Sequence, residues 1–77
     1  MSGVLLKFCA EWCGACKRVG SHGAEIVDVD KEENAEMCSQ FDIDELPTFV
    51  HIEDGVVSKL IHPETDKEIE EWMSKIS

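Results

Sequence analysis

The sequence of 77 residues has few basic side chains and few aromatic ones, and it contains no long apolar segment. Its seven lysines and arginines are outnumbered by 17 acidic residues, which gives a formal net charge of −10 at pH 7. An acidic surface repels nucleic acids and anionic membranes, so we expect neither as a partner. No apolar run approaches the roughly 18 residues of a membrane span, and residues 1–10 lack the basic start and long apolar stretch of a secretory signal. We therefore expect a cytoplasmic protein.

Nothing in the chain divides it into separate parts. It has no linker rich in proline, glycine and serine, no internal repeat and no low-complexity tract. A composition of 43% hydrophobic and 31% charged residues is typical of a folded globular protein. We expect one small domain over residues 1–77, with a core that supplies only a few kcal/mol of net stability.

Apolar patterns and turn signals predict seven elements. Strands are predicted over 4–8, 25–29, 49–52 and 56–61, and helices over 13–19, 30–41 and 65–76. Asp30 with Glu33, and Thr65 with Glu68, have the spacing of helix N-terminal caps. Asp54-Gly55 predicts a tight hairpin turn. In the last helix, helical spacing is followed by Ile69, Trp72, Met73 and Ile76. In the second helix, the core side is predicted to carry Cys38 and Phe41, with Ala35 and Met37 beside them.

The predicted order is β-α-β-α-β-β-α, an α/β fold with a four-stranded mixed sheet flanked by helices. Sixteen residues separate Phe8 from Glu25, which is enough for a right-handed helical crossover between parallel strands. The last two strands form a hairpin and must be antiparallel.

The chemistry is concentrated in the segment Glu11–Arg18, EWCGACKR, where Cys13 and Cys16 are separated by two residues. At the first turn of a helix, Cys13 lies near unpaired N–H groups that stabilise a thiolate. Cys16 lies on the same face but deeper, so Cys13 is the expected attacking thiolate and Cys16 the resolving thiol. Such a reaction needs no cofactor and no metal. A zinc site would need two further ligands from Cys9, Cys38 and the three histidines, none of which form a second close pair. A structural disulfide would close too short a loop to stabilise much.

Residues Phe8–Lys17, FCAEWCGACK, resemble the active-site segment of thioredoxins, and Leu46-Pro47-Thr48-Phe49 resembles their cis-proline loop. The resemblance covers nearly the whole chain and implies a minimal thioredoxin fold. It also implies that Cys13 is the nucleophile and Cys16 the resolving cysteine, and that Pro47 is a cis proline beside the pair. Trp12, Gly14, Ala15, Leu46 and Pro47 would bind the substrate, with backbone hydrogen bonds from Leu46.

Five departures from the thioredoxin pattern stand out. We expect a minimal version without the family's N-terminal strand and helix, and the segment after Cys16 is shorter by about ten residues, or two to three helical turns. Lys7 occupies the position of a buried aspartate, and Ile26 that of its lysine partner. Lys7 would then tune the pKa of the pair or act as a base, unless its ammonium group extends to water.

The other two departures lie beside the expected site. Cys9 replaces a tryptophan, and we expect it to be a small apolar residue at the strand end, with exchange with Cys13 as the alternative. His62-Pro63 replaces a glycine after the last strand, which alters one wall of the expected docking groove.

We expect a monomeric thiol-disulfide oxidoreductase, a protein-disulfide reductase and redox electron carrier. Its partners would be disulfide-containing proteins and, as electron source, a thioredoxin reductase or the glutathione system. Two alternatives remain open. One is a glutaredoxin-like electron donor, for example to ribonucleotide reductase, and the other is a non-catalytic binding or zinc-holding module.

Overall fold

A four-stranded mixed sheet forms the centre of the protein, in a computed structural model that describes residues 3–76. The strands lie in the order β2-β1-β3-β4, with β1 parallel to β2 and the other neighbours antiparallel. The elements are β1 (Val4–Cys9), α1 (Gly14–Arg18), β2 (Glu25–Asp28), α2 (Ala35–Gln40), β3 (Thr48–Glu53), β4 (Val56–Ile61) and α3 (Asp66–Ile76). The predicted element order and the mixed sheet are confirmed.

Alternation along β1 distributes its side chains between the two faces of the sheet. Leu6 and Phe8 belong to a buried cluster that α2 covers, where Met37, Cys38 and Phe41 pack. Leu5 points to the other face, where Val19, Phe49 and Ile69 form a second cluster with Trp72 and Met73 of α3. Lys7 and Cys9 alternate onto this second face, on which α1 lies.

The hairpin and the last helix agree closely with local sequence rules. Asp54 and Gly55 both have positive φ, 53° and 79°, as a two-residue turn matched to the twist of the strands requires. At the start of α3 the Thr65 hydroxyl accepts a hydrogen bond from the Glu68 N–H at 3.2 Å. The Glu68 carboxylate accepts from the N–H of Glu64 instead of Thr65, so the predicted capping box is formed on one side only.

The predicted start of the second helix is wrong. One turn of 3-10 helix, Glu32–Asn34, comes first, and α2 begins at Ala35. Asp30 caps neither helix, because its N–H donates to the Asp28 carboxylate at 2.9 Å and its own carboxylate binds a side chain elsewhere. Ala35 is exposed, contrary to its predicted place on the core side.

Candidate active site

The two cysteines of the motif lie at the start and in the middle of α1, which has only five residues. Cys13 is the N-cap residue and is 8% exposed, whereas Cys16 is 5% exposed and is the buried residue of the helix. The Cys13 N–H donates to the carbonyl of Ala10 at 3.1 Å, which fixes the turn that joins β1 to α1. The expected arrangement, with a first thiol at the helix start and a second one deeper, is therefore present.

The pKa of Cys13 is lowered from that of an ordinary thiol. Burial alone would raise it, but the Cys16 thiol and the backbone N–H groups of Cys16 and Ala15 hydrogen-bond to the Cys13 sulfur. The positive charge of Arg18 acts in the same direction. Donors gathered at a helix start stabilise the thiolate, which is the attacking form.

The pKa of Cys16 is raised to about 12, mainly by burial and next by the hydrogen bond that it donates to Cys13. A hydrogen bond from Cys16 to Cys13 stabilises the charge on Cys13 and keeps the proton on Cys16. The two thiols therefore differ strongly in their affinity for a proton, although only two residues separate them.

Lys7 lies under α1 and is 5% exposed. Its Nζ donates to the carbonyl oxygens of Cys16 at 3.0 Å and Val19 at 2.9 Å. These carbonyls belong to the last turn and end of α1, where helices leave acceptors unpaired. The alternative in which the ammonium group reaches water is wrong, because this group of β1 hydrogen-bonds to the C-terminal carbonyls of α1.

A groove of about 580 Å³ opens beside Cys13, with Trp12, Leu46 and His62 among its walls. The Leu46–Pro47 peptide bond is cis, the isomer implied by the resemblance. The Leu46 carbonyl lies 3.9 Å from the Cys13 sulfur and accepts a hydrogen bond from Nδ1 of His62 at 2.7 Å. The loop that carries Pro47 is thereby held against the reactive thiol.

His62 stands at a left-handed backbone position, with φ of 52°. A glycine would adopt this conformation without steric cost, whereas His62 adopts it although it carries a side chain. His62 forms part of the groove wall, as expected from the replacement of a glycine by His62-Pro63. Pro63 beside it is fully buried.

Of the other residues expected to bind substrate, Trp12 lines the groove, whereas Gly14 and Ala15 lie outside its lining and the side chain of Pro47 is fully buried. Trp12 is 70% exposed, Gly14 is exposed and Ala15 is partly exposed. The Trp12 indole N–H donates to the Asp30 carboxylate at 2.6 Å. Sequence reasoning missed Asp30 as a site residue, because its place beside a helix start suggested a cap and nothing local links it to a residue 18 positions earlier.

The loop that follows α1 is joined to α3 by one carboxylate. Asp66 accepts hydrogen bonds from the Gly20 N–H and from Nε2 of His22, each at 2.8 Å. The Gly20 bond, followed by that from His22, lowers the pKa of Asp66. The segment after the short helix is thus attached to the helix that covers the same face of the sheet.

The four cysteines are free thiols. Cys9 is partly exposed and packs against the cluster that contains Cys13 and Cys16, while Cys38 packs against the core on the α2 side. Within residues 3–76, no three His, Cys, Asp or Glu side chains are arranged to hold a metal ion. In the same residues no helix is long and apolar enough to cross a membrane.

Comparison with known proteins gives a consistent result. A family model described as Thioredoxin matches residues 1–75. Thioredoxin-1 of Caenorhabditis elegans is 31% identical, over 68% of this chain and 53% of its own. Thioredoxin H-type of Picea mariana is 30% identical, over 82% of this chain and 58% of its own. A solved structure of Plasmodium falciparum thioredoxin has a TM-score of 0.81 at 28% identity and covers 97% of this chain and 82% of that chain. The chain spans about half the length of the curated relatives it matches.

Proposed function

Because this chain belongs to the thioredoxin family, we propose that it is a thiol-disulfide oxidoreductase that exchanges a Cys13–Cys16 dithiol with disulfides of other proteins. The observation that carries the proposal is the placement of two neighbouring thiols, Cys13 at the N-cap of α1 beside the groove and Cys16 buried behind it; in keeping with it, the pKa of Cys13 is lowered and that of Cys16 is raised to about 12. One thiol is prepared to attack, and the other keeps its proton until it is needed.

In the first step the Cys13 thiolate attacks a sulfur of the partner's disulfide. A mixed disulfide forms, the partner's S–S bond breaks, and the second partner sulfur leaves as a thiolate. Cys13 then carries no charge, so the hydrogen bond that helped hold the proton on Cys16 is lost. The departing thiolate can accept that proton. Cys16 then attacks the Cys13 sulfur and releases the reduced partner, and the chain is left with the Cys13–Cys16 disulfide.

The substrate surface is proposed to consist of Trp12, Gly14, Ala15 and the Leu46–Pro47 segment. The exposure of Trp12 at the groove and of Gly14 next to Cys13 in the chain supports this, as does the 3.9 Å approach of the Leu46 carbonyl to the Cys13 sulfur. The Leu46 carbonyl already accepts from His62. A bound extended segment would therefore share this acceptor or bond to the Leu46 N–H.

The direct test is dithiothreitol-dependent reduction of insulin. We expect turnover by the wild-type chain and none by Cys13→Ser, because a hydroxyl cannot form the mixed disulfide. Cys38→Ser is the matched control, since it replaces the other thiol that lines the groove by a hydroxyl; it should keep turnover, because Cys38 packs against the core on the α2 side and is not part of the pair. Full activity of Cys13→Ser would refute the assignment, and Cys16→Ser should accumulate the mixed disulfide instead of turning over.

The electron source and the setting are part of the same proposal. We propose a monomer in the cytoplasm, where thiols are kept reduced, with recycling by a thioredoxin reductase. The shortness of α1 is the observation that favours the glutaredoxin-like alternative. Recycling of the oxidised chain by glutathione, with no response to a thioredoxin reductase, would favour that alternative over ours.

A further inference from the structure

A third thiol lies on the far side of the active-site pair. Cys9 is the last residue of β1 and alternates onto the same face as Lys7, whose ammonium group bonds to the Cys16 carbonyl. Cys9 therefore lies beneath the middle of α1. Its side chain packs against the Ala10, Cys13 and Cys16 cluster. The Cys9 thiol donates to the Lys7 carbonyl at 3.9 Å, and its sulfur accepts a hydrogen bond from the Cys16 thiol.

Cys9 and Cys16 also share an opening of their own. A second hollow, of about 220 Å³, is lined by Cys9 and Cys16 together with Ile26 of the edge strand β2. It has no lining residue in common with the groove beside Cys13. Cys16 is thus placed between a thiol that faces the groove and a thiol that faces the second hollow.

We propose that Cys9 is a third exchange thiol, which moves the disulfide from Cys13–Cys16 to Cys9–Cys16. The inference rests on the proposed function, which generates the first disulfide. Cys9 loses its proton to solvent and attacks the Cys16 sulfur. The Cys9–Cys16 bond forms, the Cys13–Cys16 bond breaks, and the electron pair leaves on Cys13 as a thiolate. The chain is neither oxidised nor reduced in this step.

The proton affinities of the three sulfurs favour this direction. With Cys16 in a disulfide, the backbone N–H groups of Cys16 and Ala15 and the charge of Arg18 still stabilise a thiolate at Cys13, which makes Cys13 the better leaving group. The pKa of Cys9 is raised, chiefly by burial, with the Lys7 charge opposing the rise. A thiol with a low pKa is stable as a thiolate, which favours its release from a disulfide. A thiol with a high pKa is less stable as a thiolate, which favours its incorporation into the disulfide. The product is an oxidised chain whose groove still holds the Cys13 nucleophile.

Peptide mapping of the wild-type chain tests the exchange. The protein is oxidised with stoichiometric diamide, sampled over time, quenched in acid and treated with N-ethylmaleimide. Cleavage after Glu11 and Glu25 separates Cys9, in residues 1–11, from Cys13 and Cys16, in residues 12–25. We expect a disulfide within 12–25 first, and then a link between the two peptides with maleimide on Cys13. Oxidised Cys13→Ser should give the same link through Cys16.

Two outcomes would overturn the exchange: complete labelling of Cys9 at equilibrium, or a link from residues 12–25 to the peptide of Cys38. The Cys38→Ser variant is the matched control and should retain the link between 1–11 and 12–25, while Cys9→Ser should lose it. Insulin turnover by the same wild-type preparation separates the two proposals. If insulin is reduced but the link between the two peptides is absent, only the proposal of a third exchange thiol is refuted. If insulin is not reduced, the proposed function is refuted.

Discussion

Replacement of Lys7 by methionine tests the support of the short helix. The change preserves most of the side-chain volume and removes two hydrogen bonds, to the carbonyls of Cys16 and Val19. Hydrogen bonds to a charged group contribute about 1.5–3 kcal/mol each, and relief of the cost of burying the ammonium group offsets part of that loss. We expect a net loss of about 2–4 kcal/mol in the free energy of unfolding. In a domain of this size that corresponds to a fall in Tm of about 10–30 °C.

Urea unfolding followed by tryptophan fluorescence measures this loss, with the midpoint expected to fall while the slope stays constant. The matched control is Lys17→Met, which removes an equal charge from an exposed position of α1 and should change stability by less than about 0.5 kcal/mol. If Lys7→Met were as stable as the wild type, the two hydrogen bonds would only balance the burial of the charge, and our account of α1 would be refuted.

The same variant tests whether Lys7 tunes the active-site pair. Apart from burial, which raises the pKa of Cys9, the Lys7 charge is the largest influence on that thiol and lowers its pKa. At Cys13 the main influences are burial, Cys16, Ala15 and Arg18. We therefore expect Lys7→Met to raise the pKa of Cys9 further and to leave the thiolate titration of Cys13 nearly unchanged, as followed by ultraviolet absorbance. A clear rise at Cys13 would instead support the tuning role.

Three further predictions concern the pair, the groove and the core. The pKa of Cys16 is raised to about 12 in the folded chain, so its contribution to stability is complete below the unfolded value and is lost as pH rises toward 12; the urea midpoint of the reduced chain should fall in alkali, and Cys16→Ala should lessen that fall. Asp30→Ala removes the acceptor of the Trp12 indole, so we expect altered Trp12 fluorescence and a raised KM for insulin with little change in kcat; an unchanged KM would exclude a docking role for this contact. Ile69 is fully buried, and Ile69→Ala should lower the free energy of unfolding by about 2–5 kcal/mol, whereas an alanine at exposed Glu70 should have little effect in the same urea experiment.

Local rules were sufficient where one element determines its own form. The turn at Asp54-Gly55 requires two positive φ angles, which this dipeptide accepts. The i, i+3, i+4, i+7 spacing of α3 predicts the face that packs against the sheet, and Ile69 is buried there as expected. The strand before the motif was predicted from its apolar run, and its three central residues are buried on both faces.

Sequence reasoning was insufficient where a side chain serves a distant element. Asp30 has the composition and spacing of a helix cap, but its carboxylate accepts from Trp12, and the helix begins five residues later. The ammonium group of Lys7 was expected to act on thiols or to reach water. Instead it donates to two backbone carbonyls, which it can reach only because of the way α1 packs on the sheet. No periodicity in the sequence contains this information.

The shortness of α1 explains why the site is supported from below. A five-residue helix cannot satisfy its own terminal carbonyls, and here a buried cation from β1 does so. The resemblance to thioredoxins predicts a buried aspartate at the position of Lys7, and in this chain the same position supplies the group that caps the helix. Cys16 has sulfur neighbours in Cys13 and Cys9. The two thiols beside Cys16 are therefore the groups that we propose exchange with it, and the hollow that Cys9 and Cys16 share is also lined by Glu11 and Asp28.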